Sequence, residues 1–346
     1  MKVKTELIKN KIIINNSKDA SRLYNRSHFG KPLSRNKLEL DLIEGVFLQE
    51  KDKIKVHQNE KEIIFQNLVK KASKIIKGFE IKYQVYKDLR SRGHAIKQYD
   101  EIKHITFSKI NLKKENGEDF FVSTFSERDI FDIKKIVNLI NKVNIKHKKL
   151  WFAIVDEEGD ITYYDVSKVN LKGQNKEHIF KKTEATLMKN RVIIFDEKSS
   201  NKLFEKEFYG KPFGKGIQLS IVEACYLANK GILNIKTIND KKITKTYIKK
   251  LQPDINARIF VFKDLKKHGL IVKTGFKFGT HFRAYSKSPD ESHAEYLIHV
   301  VPRDFSSIWA EVSRGVRLAH SVNKEFIFAK FTKKKIDYIR LGRLRP

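Results

Sequence analysis

A tyrosine, a histidine and a lysine in the last fifth of the chain have the chemistry to cut RNA without a metal. Tyr285 closes Phe278-Gly279-Thr280-His281-Phe282-Arg283-Ala284-Tyr285. His293 sits in Ser292-His293-Ala294-Glu295-Tyr296-Leu297, and Lys324 in Val322-Asn323-Lys324-Glu325-Phe326. Attack of a ribose 2′-hydroxyl on the adjacent phosphate needs a base for the hydroxyl proton and an acid for the departing 5′-oxygen. It also needs a cation beside the crowded phosphorane. A phenol titrates near ~10 in water, so a tyrosine base needs cations around it. Lys324 and a basic chain supply them.

Those residues must be positioned by elements that the chain spells out twice. Leu23-Tyr24, Phe29-Gly30-Lys31-Pro32 and Leu42-Ile43-Glu44 return as Leu203-Phe204, Tyr209-Gly210-Lys211-Pro212 and Ile221-Val222-Glu223. Val85-Tyr86-Lys87-Asp88-Leu89 returns as Val261-Phe262-Lys263-Asp264-Leu265. Phe152-Ala153 and Asp160-Ile161-Thr162-Tyr163 match Phe328-Ala329 and Lys335-Ile336-Asp337-Tyr338. Gly30 maps to Gly210 and Leu89 to Leu265, so the offset drifts only from 180 to 176 residues. That is a duplicated domain and not a solenoid period.

Each repeat is expected to open with a short strand, Lys11–Ile14 or Arg191–Phe195. A turn with Gly-Lys-Pro follows, then an amphipathic helix. In the second repeat that helix carries Leu219, Val222, Tyr226 and Leu227 and stops at Gly231. A second helix ends at Arg92-Gly93 or His268-Gly269. Strands are then expected at Leu270–Val272, Phe282–Tyr285 and Tyr296–Val301. A helix starts from about Asp304 as N-cap, with Phe305, Ile308, Val312, Val316 and Ala319 at helical spacing. The repeat closes on a hairpin, Phe326–Ala329 into Ile336–Leu344. The class is α+β, a tandem repeat with a helical, small-sheet front part and a mixed-sheet back part. The predicted boundaries are 1–169 for the first repeat and 170–182 for a linker, its charge marking a solvated connector. Residues 183–270 form the front of the second repeat and 271–346 its back part.

One copy serves as the control for the other. At an offset of 176, Lys324 falls on Lys148, but Tyr285 falls on Lys109 and His293 on Gly117. Purely structural tyrosine and histidine side chains would be equally useful in both copies. Their restriction to the second repeat points to chemistry there.

Lys and Arg together number 72 against 41 Asp and Glu, a net charge of +31 over 346 residues. Such a charge suits a polyanionic partner, although a Lys- and Ile-rich compositional bias would also raise it. The 40% hydrophobic content is enough for real cores. Cys225, the single cysteine, excludes a disulfide framework or a cysteine-based zinc site and is expected to be a buried, inert thiol. No apolar run reaches membrane-spanning length, and Met-Lys-Val-Lys-Thr-Glu-Leu has no signal-peptide core. A soluble, cytoplasmic protein without a membrane partner is expected.

The string from Gly275 to Val300 resembles the catalytic domain of archaeal tRNA-splicing endonucleases, as do Arg314-Gly315-Val316-Arg317-Leu318-Ala319 and Asn323–Ala329. A degenerate repeat followed by an active one resembles the fused, homodimeric type of that family. The resemblance covers nearly the whole chain. It implies a restriction-endonuclease-like back domain, precursor tRNA with bulge-helix-bulge junctions as substrate, and no cofactor or metal. It implies Tyr285 as general base, His293 as general acid and Lys324 as transition-state stabiliser. An arginine pair that sandwiches a flipped-out base is also implied; Arg317 and Arg343 match best, with Arg340 as the rival to Arg343. A guanidinium plane can stack on a base without demanding its identity.

The turn of the closing hairpin is acidic in the first repeat, Asp156-Glu157-Glu158-Gly159-Asp160, and basic in the second, Thr332-Lys333-Lys334-Lys335. Acidic turns are ordinarily just solvated. In this family an acidic loop on the non-catalytic unit docks into a basic cleft of a catalytic unit, so the resemblance implies Asp156, Glu157, Glu158 and Asp160 as a homodimer docking loop.

Other signals carry less. Gly210-Lys211-Pro212-Phe213-Gly214-Lys215 lacks the phosphate-loop spacing, and its Gly-Lys-Pro recurs in both repeats, as a structural turn would. Pro289-Asp290 evokes metal-dependent nucleases, but no Glu-x-Lys follows on the next strand. Two alternatives stay open: a magnesium-dependent nuclease on a similar sheet, which EDTA would silence, and a non-catalytic scaffold for structured RNA.

Overall fold

The computed structural model describes residues 2–33, 36–110, 119–241, 243–332 and 335–346. Gly117, Lys333 and Lys334 lie outside the described residues.

The first repeat begins with β1 (Val3–Ile8), β2 (Lys11–Ile14), α1 (Ser17–Ser27), β3 (Lys31–Leu33), β4 (Lys37–Leu40) and α2 (Leu42–Glu50). It continues with β5 (Ile54–Gln58), β6 (Lys61–Glu62), α3 (Phe65–Ile75) and α4 (Phe79–Ser91). Its back part is β7 (Ile96–Gln98), β8 (Phe107–Lys109), β9 (Phe120–Ser126), β10 (Ile130–Asp132), α5 (Ile133–Ile145), β11 (Lys149–Val155) and β12 (Ile161–Lys168). The second repeat runs β13 (Thr183–Met188), β14 (Arg191–Ile194), α6 (Glu197–Glu207), β15 (Lys211–Phe213), β16 (Gly216–Leu219) and α7 (Ile221–Asn229). Then come β17 (Leu233–Thr237), α8 (Lys245–Leu251) and α9 (Ile255–Lys267). Its back part is β18 (Ile271–Thr274), β19 (Phe282–Tyr285), β20 (Tyr296–Val301), β21 (Ser306–Ile308), α10 (Trp309–Ser321), β22 (Glu325–Phe331) and β23 (Ile336–Leu344). Among the described residues β6 and the 3-10 turn at Phe276–Phe278 lack counterparts, and the α+β tandem repeat is as expected.

The recurring motifs turn out to be structural joints. Gly30 and Gly210 both have φ of +68°, and a Cβ on either would strike a carbonyl of the neighbouring strand, Glu39 O at 2.6 Å or Gln218 O at 2.7 Å. Their N–H groups donate to the buried carboxylates of Glu44 and Glu223 at 2.8 and 3.0 Å. Each carboxylate also completes a capping box, Asp41 with Glu44 on α2 and Ser220 with Glu223 on α7. Asp88 and Asp264 accept hydrogen bonds from Tyr163 and Tyr338, at 2.8 and 2.7 Å, which tie α4 to β12 and α9 to β23.

The described residues form two compact units: Met1–Asp129, Asn141–Tyr164 and Leu344–Pro346 in the first, Ile130–Ile140 and Asp165–Arg343 in the second. In the first unit β3-β4-β2-β1-β5-β6 make one sheet, and the back part runs β12-β11-β9-β8-β7. Its core gathers Leu40, Ile43, Val85, Tyr86, Phe107 and Phe120. In the second unit β15-β16-β14-β13-β17 make the small sheet and β18-β19-β20-β22-β23 the larger one. The core there includes Ile194, Leu219, Phe262, Leu265, Ile298 and Ile327. Strand β10 belongs to the second unit, where it pairs antiparallel with β21 and Phe131 packs edge-on against Trp309 at 5.0 Å.

Several local expectations are corrected. A helix, α1 or α6, stands between the opening strands and the Gly-Lys-Pro turn; its caps, Asn16 and Asp196, each accept an N–H from the third residue on. Leu219 closes β16 rather than lying in α7. Asp304 caps nothing, because β21 intervenes and α10 starts at Trp309. The connector at 170–182 is not simply solvated. Leu171 is buried, Gly173 and Asn175 donate to His268 O and Gly269 O, and the His178 N–H donates to buried Glu207 at 2.7 Å. Glu207 in turn pairs with buried Lys266 at 2.8 Å. Cys225 is partly buried, and burial pushes its thiol up to about 11. No helix among the described residues is long and apolar enough to cross a membrane.

Candidate active site

Three neighbouring strands of the second unit deliver Tyr285, His293 and Lys324 to one end of the sheet. Strand β19 runs antiparallel to β20, with Ala284 opposite Tyr296, and β22 runs parallel to β20, with Glu325 opposite Tyr296. The C-terminal end of β19 therefore meets the N-terminal ends of β20 and β22. Tyr285 is the last residue of β19, His293 lies just before β20, and Lys324 just before β22. Tyr285 is 8% exposed and packs with Ile271, Ala294 and Phe208, so its ring lies against the residue that follows His293. His293 itself is exposed.

Glu295 joins these strands. Its N–H donates to Ala284 O at 3.2 Å, and its carbonyl accepts from Glu325 N at 2.8 Å. Its carboxylate takes the backbone N–H of Ser286 at 2.7 Å and the Ser286 hydroxyl as well. One residue thus fixes the neighbours of Tyr285 and of Lys324 while sitting two positions from His293. The loop in between is tightened by Glu291 and Ser292 N–H groups donating to Ser288 O. Asp290, which followed the proline of the metal-nuclease decoy, is an exposed residue of this turn, its N–H donating to Ser288 Oγ.

The lysine is placed by backbone geometry. Asn323 adopts φ of +54°, Lys324 N–H donates back to Ala319 O, and the Lys324 amine donates to Val322 O at 3.3 Å. The Lys324 nitrogen also lies 5.8 Å from the Phe278 ring. A further cation stands beside the tyrosine: the Arg283 guanidinium is 5.8 Å from the Tyr285 ring.

The two rival arginines separate clearly. Arg340 is held in ion pairs with Asp165 at 2.5 Å and with Glu325 at 3.3 Å. Arg343 is exposed, with no ion pair among the described residues. In the β22–β23 ladder Phe326 faces Leu341, so two residues further on the same register carries Arg343 to the level of Lys324. Arg317 is exposed on the last turns of α10, the helix that leads into Lys324. Lys168, which ends β12 near the first-repeat position equivalent to Arg343, pairs with Asp337 at 3.2 Å.

The equivalent end of the first repeat is arranged differently. Lys109, in place of the tyrosine, lies over the Phe120 ring at 5.7 Å. Lys148 donates to Ser108 Oγ at 3.2 Å and lies 3.7 Å from the Asp119 carboxylate. His147 has the same left-handed backbone as Asn323, φ +52°.

The residues of the acidic turn differ in their partners. The Asp156 carboxylate accepts from the N–H groups of Glu158 and Asp160 and so builds the turn itself, and Glu157 pairs with Arg128. Glu158 and Asp160 are exposed without an ion pair among the described residues.

Glu295, Ser286 and Arg283 were not singled out by the sequence reading. The signal for Glu295 was present: the 176-residue offset puts Asp119 at its place, a carboxylate in both copies. Its partner differs, Ser286 in the second repeat and Lys148 in the first.

Comparison with known proteins is consistent along the whole chain. The family model for the catalytic C-terminal domain of tRNA intron endonucleases matches residues 79–163 and again 255–338. The model for their N-terminal domain matches residues 3–69 and 183–247. A tRNA-splicing endonuclease of Methanococcoides burtonii is 38% identical, over 99% of this chain and 100% of the relative. One of Methanosarcina mazei is 32% identical over 99% of each chain. One of Haloferax volcanii is 26% identical over 94% of this chain and 95% of its own. The chain belongs to the tRNA intron endonuclease family, as an endoribonuclease that carries both domains of the family twice.

Proposed function

We propose that this endoribonuclease cleaves precursor tRNA at bulge-helix-bulge junctions, leaving a 2′,3′-cyclic phosphate and a 5′-hydroxyl without help from a metal. Tyr285 takes the proton of the 2′-hydroxyl as its oxygen attacks the adjacent phosphorus. His293 protonates the 5′-oxygen as the P–O5′ bond breaks, and Lys324 faces the charge that builds on the phosphorane. Arg317 and Arg343 hold a bulge base between guanidinium planes. Glu158 and Asp160 dock into a basic cleft of a second copy, so the working particle is a homodimer and each chain supports the other's site. The tRNA-splicing names of the relatives support the substrate.

The observation that carries this reading is the convergence of the tyrosine, histidine and lysine at one end of β19, β20 and β22, against a first repeat that offers Lys109 and an ion-paired Lys148 at the same place. The test is cleavage of a bulge-helix-bulge RNA in EDTA with mapping of the product ends. Cyclic phosphate and 5′-hydroxyl ends are expected; 3′-hydroxyl with 5′-phosphate ends, or activity lost to EDTA and restored by magnesium, would overturn it.

A further inference from the structure

Helix α1 presents two parallel rows of exposed side chains. Lys18, Arg22 and Arg26 form one row and Ser17, Ser21 and Asn25 the other, and the six line a single open groove of about 490 Å3. Ala20 and Leu23, on the opposite side of the helix, are buried, so the groove face is turned outward by the packing. Among the described residues, only Arg22 has an ion-pair partner on this face, Asp19 at 3.0 Å. The Asn25 amide donates to Ser21 Oγ at 2.9 Å, which holds the neutral row in place. Residues four apart on a helix are spaced by about 6 Å along its axis, which suits cations that meet successive phosphates of one nucleic-acid strand.

The duplication again provides a control. Helix α6 occupies the same place in the second repeat, with the same type of N-cap and the same left-handed C-cap, His28 at φ +56° in one and Phe208 at φ +57° in the other. It keeps the cationic row as Lys198, Lys202 and Lys206, but Glu197, Asn201 and Glu205 replace the neutral row. A cationic row needed only for solubility would serve in either setting. On α1 the one carboxylate, Asp19, is already paired with Arg22, whereas on α6 Glu197 and Glu205 stand beside the cationic row and would repel phosphates.

We propose that the outer face of α1 is an RNA-binding surface separate from the cleavage residues, taking the sugar-phosphate backbone of a double-helical part of the substrate without reading sequence. Lys18, Arg22 and Arg26 meet phosphates, and the Ser17 and Ser21 hydroxyls and the Asn25 amide reach sugar or phosphate oxygens. The inference rests on the reading of the substrate as a structured RNA.

The test compares two matched triple variants of the full chain, Lys18→Ala/Arg22→Ala/Arg26→Ala and Lys198→Ala/Lys202→Ala/Lys206→Ala, each removing the same charge from the same element. Binding of a bulge-free RNA duplex is titrated at several salt concentrations, and cleavage of precursor tRNA is followed alongside. The α1 triple is expected to lose about tenfold or more in duplex affinity and roughly two units of salt slope, while the α6 triple stays near the parent. The α1 triple should raise KM for precursor tRNA and leave kcat unchanged. Equal losses in both triples would mean a diffuse field and overturn the proposal, as would no loss in the α1 triple or a change confined to oligomeric state. Melting curves, with the milder Lys18→Gln/Arg26→Gln pair, separate lost binding from lost folding. If the parent binds duplex but does not cut precursor tRNA, the functional reading fails while the two triples still decide the role of α1.

Discussion

The carboxylate of Glu295 grips Ser286 with both oxygens, taking the backbone N–H at 2.7 Å and the hydroxyl beside it. Ser286 follows Tyr285 directly, and the Glu295 backbone bonds to both flanking strands. The loop that carries His293 is therefore closed at its two ends by one side chain. Charge-assisted bonds of this kind contribute about 1.5–3 kcal/mol each. Glu295→Ala should slow single-turnover cleavage by about tenfold to a hundredfold and leave RNA affinity nearly unchanged. Restoration in Glu295→Gln of part of the rate would mark the role as positioning; a parental rate in the alanine variant would show that the grip is irrelevant to cleavage.

Tyr285→Phe and His293→Ala each remove one of the two proposed proton-transfer groups with little change to the surrounding packing. Each should lower the cleavage rate by about 10²–10⁴-fold, with RNA binding intact by filter or gel-shift titration. Normal turnover in either variant would remove that residue from the mechanism.

Arg340 and Arg343 sit three residues apart on β23 in different surroundings. Arg340→Ala strips the partner from Asp165 and Glu325 and should cost about 1 kcal/mol of stability, read as a lowered melting temperature, with little change in kcat. Arg343→Ala should melt like the parent but cleave bulged RNA poorly. The reverse pattern would assign base clamping to Arg340.

Among the described residues Glu158 and Asp160 have no ion pair, whereas Asp156 holds the turn together. Glu158→Lys/Asp160→Lys should yield folded monomers on sizing. An intact dimer from that variant would refute the docking role.

His281 gives the second unit an acid limit. Its Nδ1 accepts the Val300 N–H at 3.0 Å, which demands an unprotonated nitrogen, and its ring lies 4.6 Å from that of His299. Burial, then His299 and Arg258, push its pKa down to about 4, against the weaker pull of the Asp254 carboxylate 3.7 Å from its Nε2. Burial, then Arg258, also lowers His299. Above the ordinary histidine pKa of about 6.5 both folded and unfolded chains are neutral at these sites and no stability is lost. As pH falls from about 6.5 toward 4 the unfolded chain takes up protons that folded His281 refuses, so stability drops by up to about 1.4 kcal/mol per pH unit for this group. Melting temperatures at pH 7 and pH 5 should show the loss, and His281→Gln should reduce it. A pH-independent melting temperature in the parent would contradict this account.

Much of this was legible from spacing alone. The duplication is read from repeated motifs, and the strands at Phe282–Tyr285 and Tyr296–Val301 and the closing hairpin from local periodicity and turn residues, because each strand or turn is decided within a few residues of chain. The two copies even exposed their own asymmetry, Tyr285 against Lys109. Helix α1 was missed because Ser17–Ser27 is too polar for its one buried stripe, Ala20 and Leu23, to stand out from a loop. Asp304 misled because an N-cap residue type stands just before an apolar helical pattern, and only pairing of Ser306–Ile308 with Ile130–Asp132 turned the intervening residues into a strand.

What the sequence by itself determined is which residue types are present in which copy, and hence that the proposed proton-transfer pair is confined to one repeat. What only the tertiary structure decided is who touches whom across long separations. Arg340 is occupied because Asp165, far away in the chain, comes to it. Arg343 is brought to the level of Lys324 by the register of β22 and β23. Spacing along a chain fixes which face a side chain occupies, but partners are set by strand register and packing, which no local pattern records.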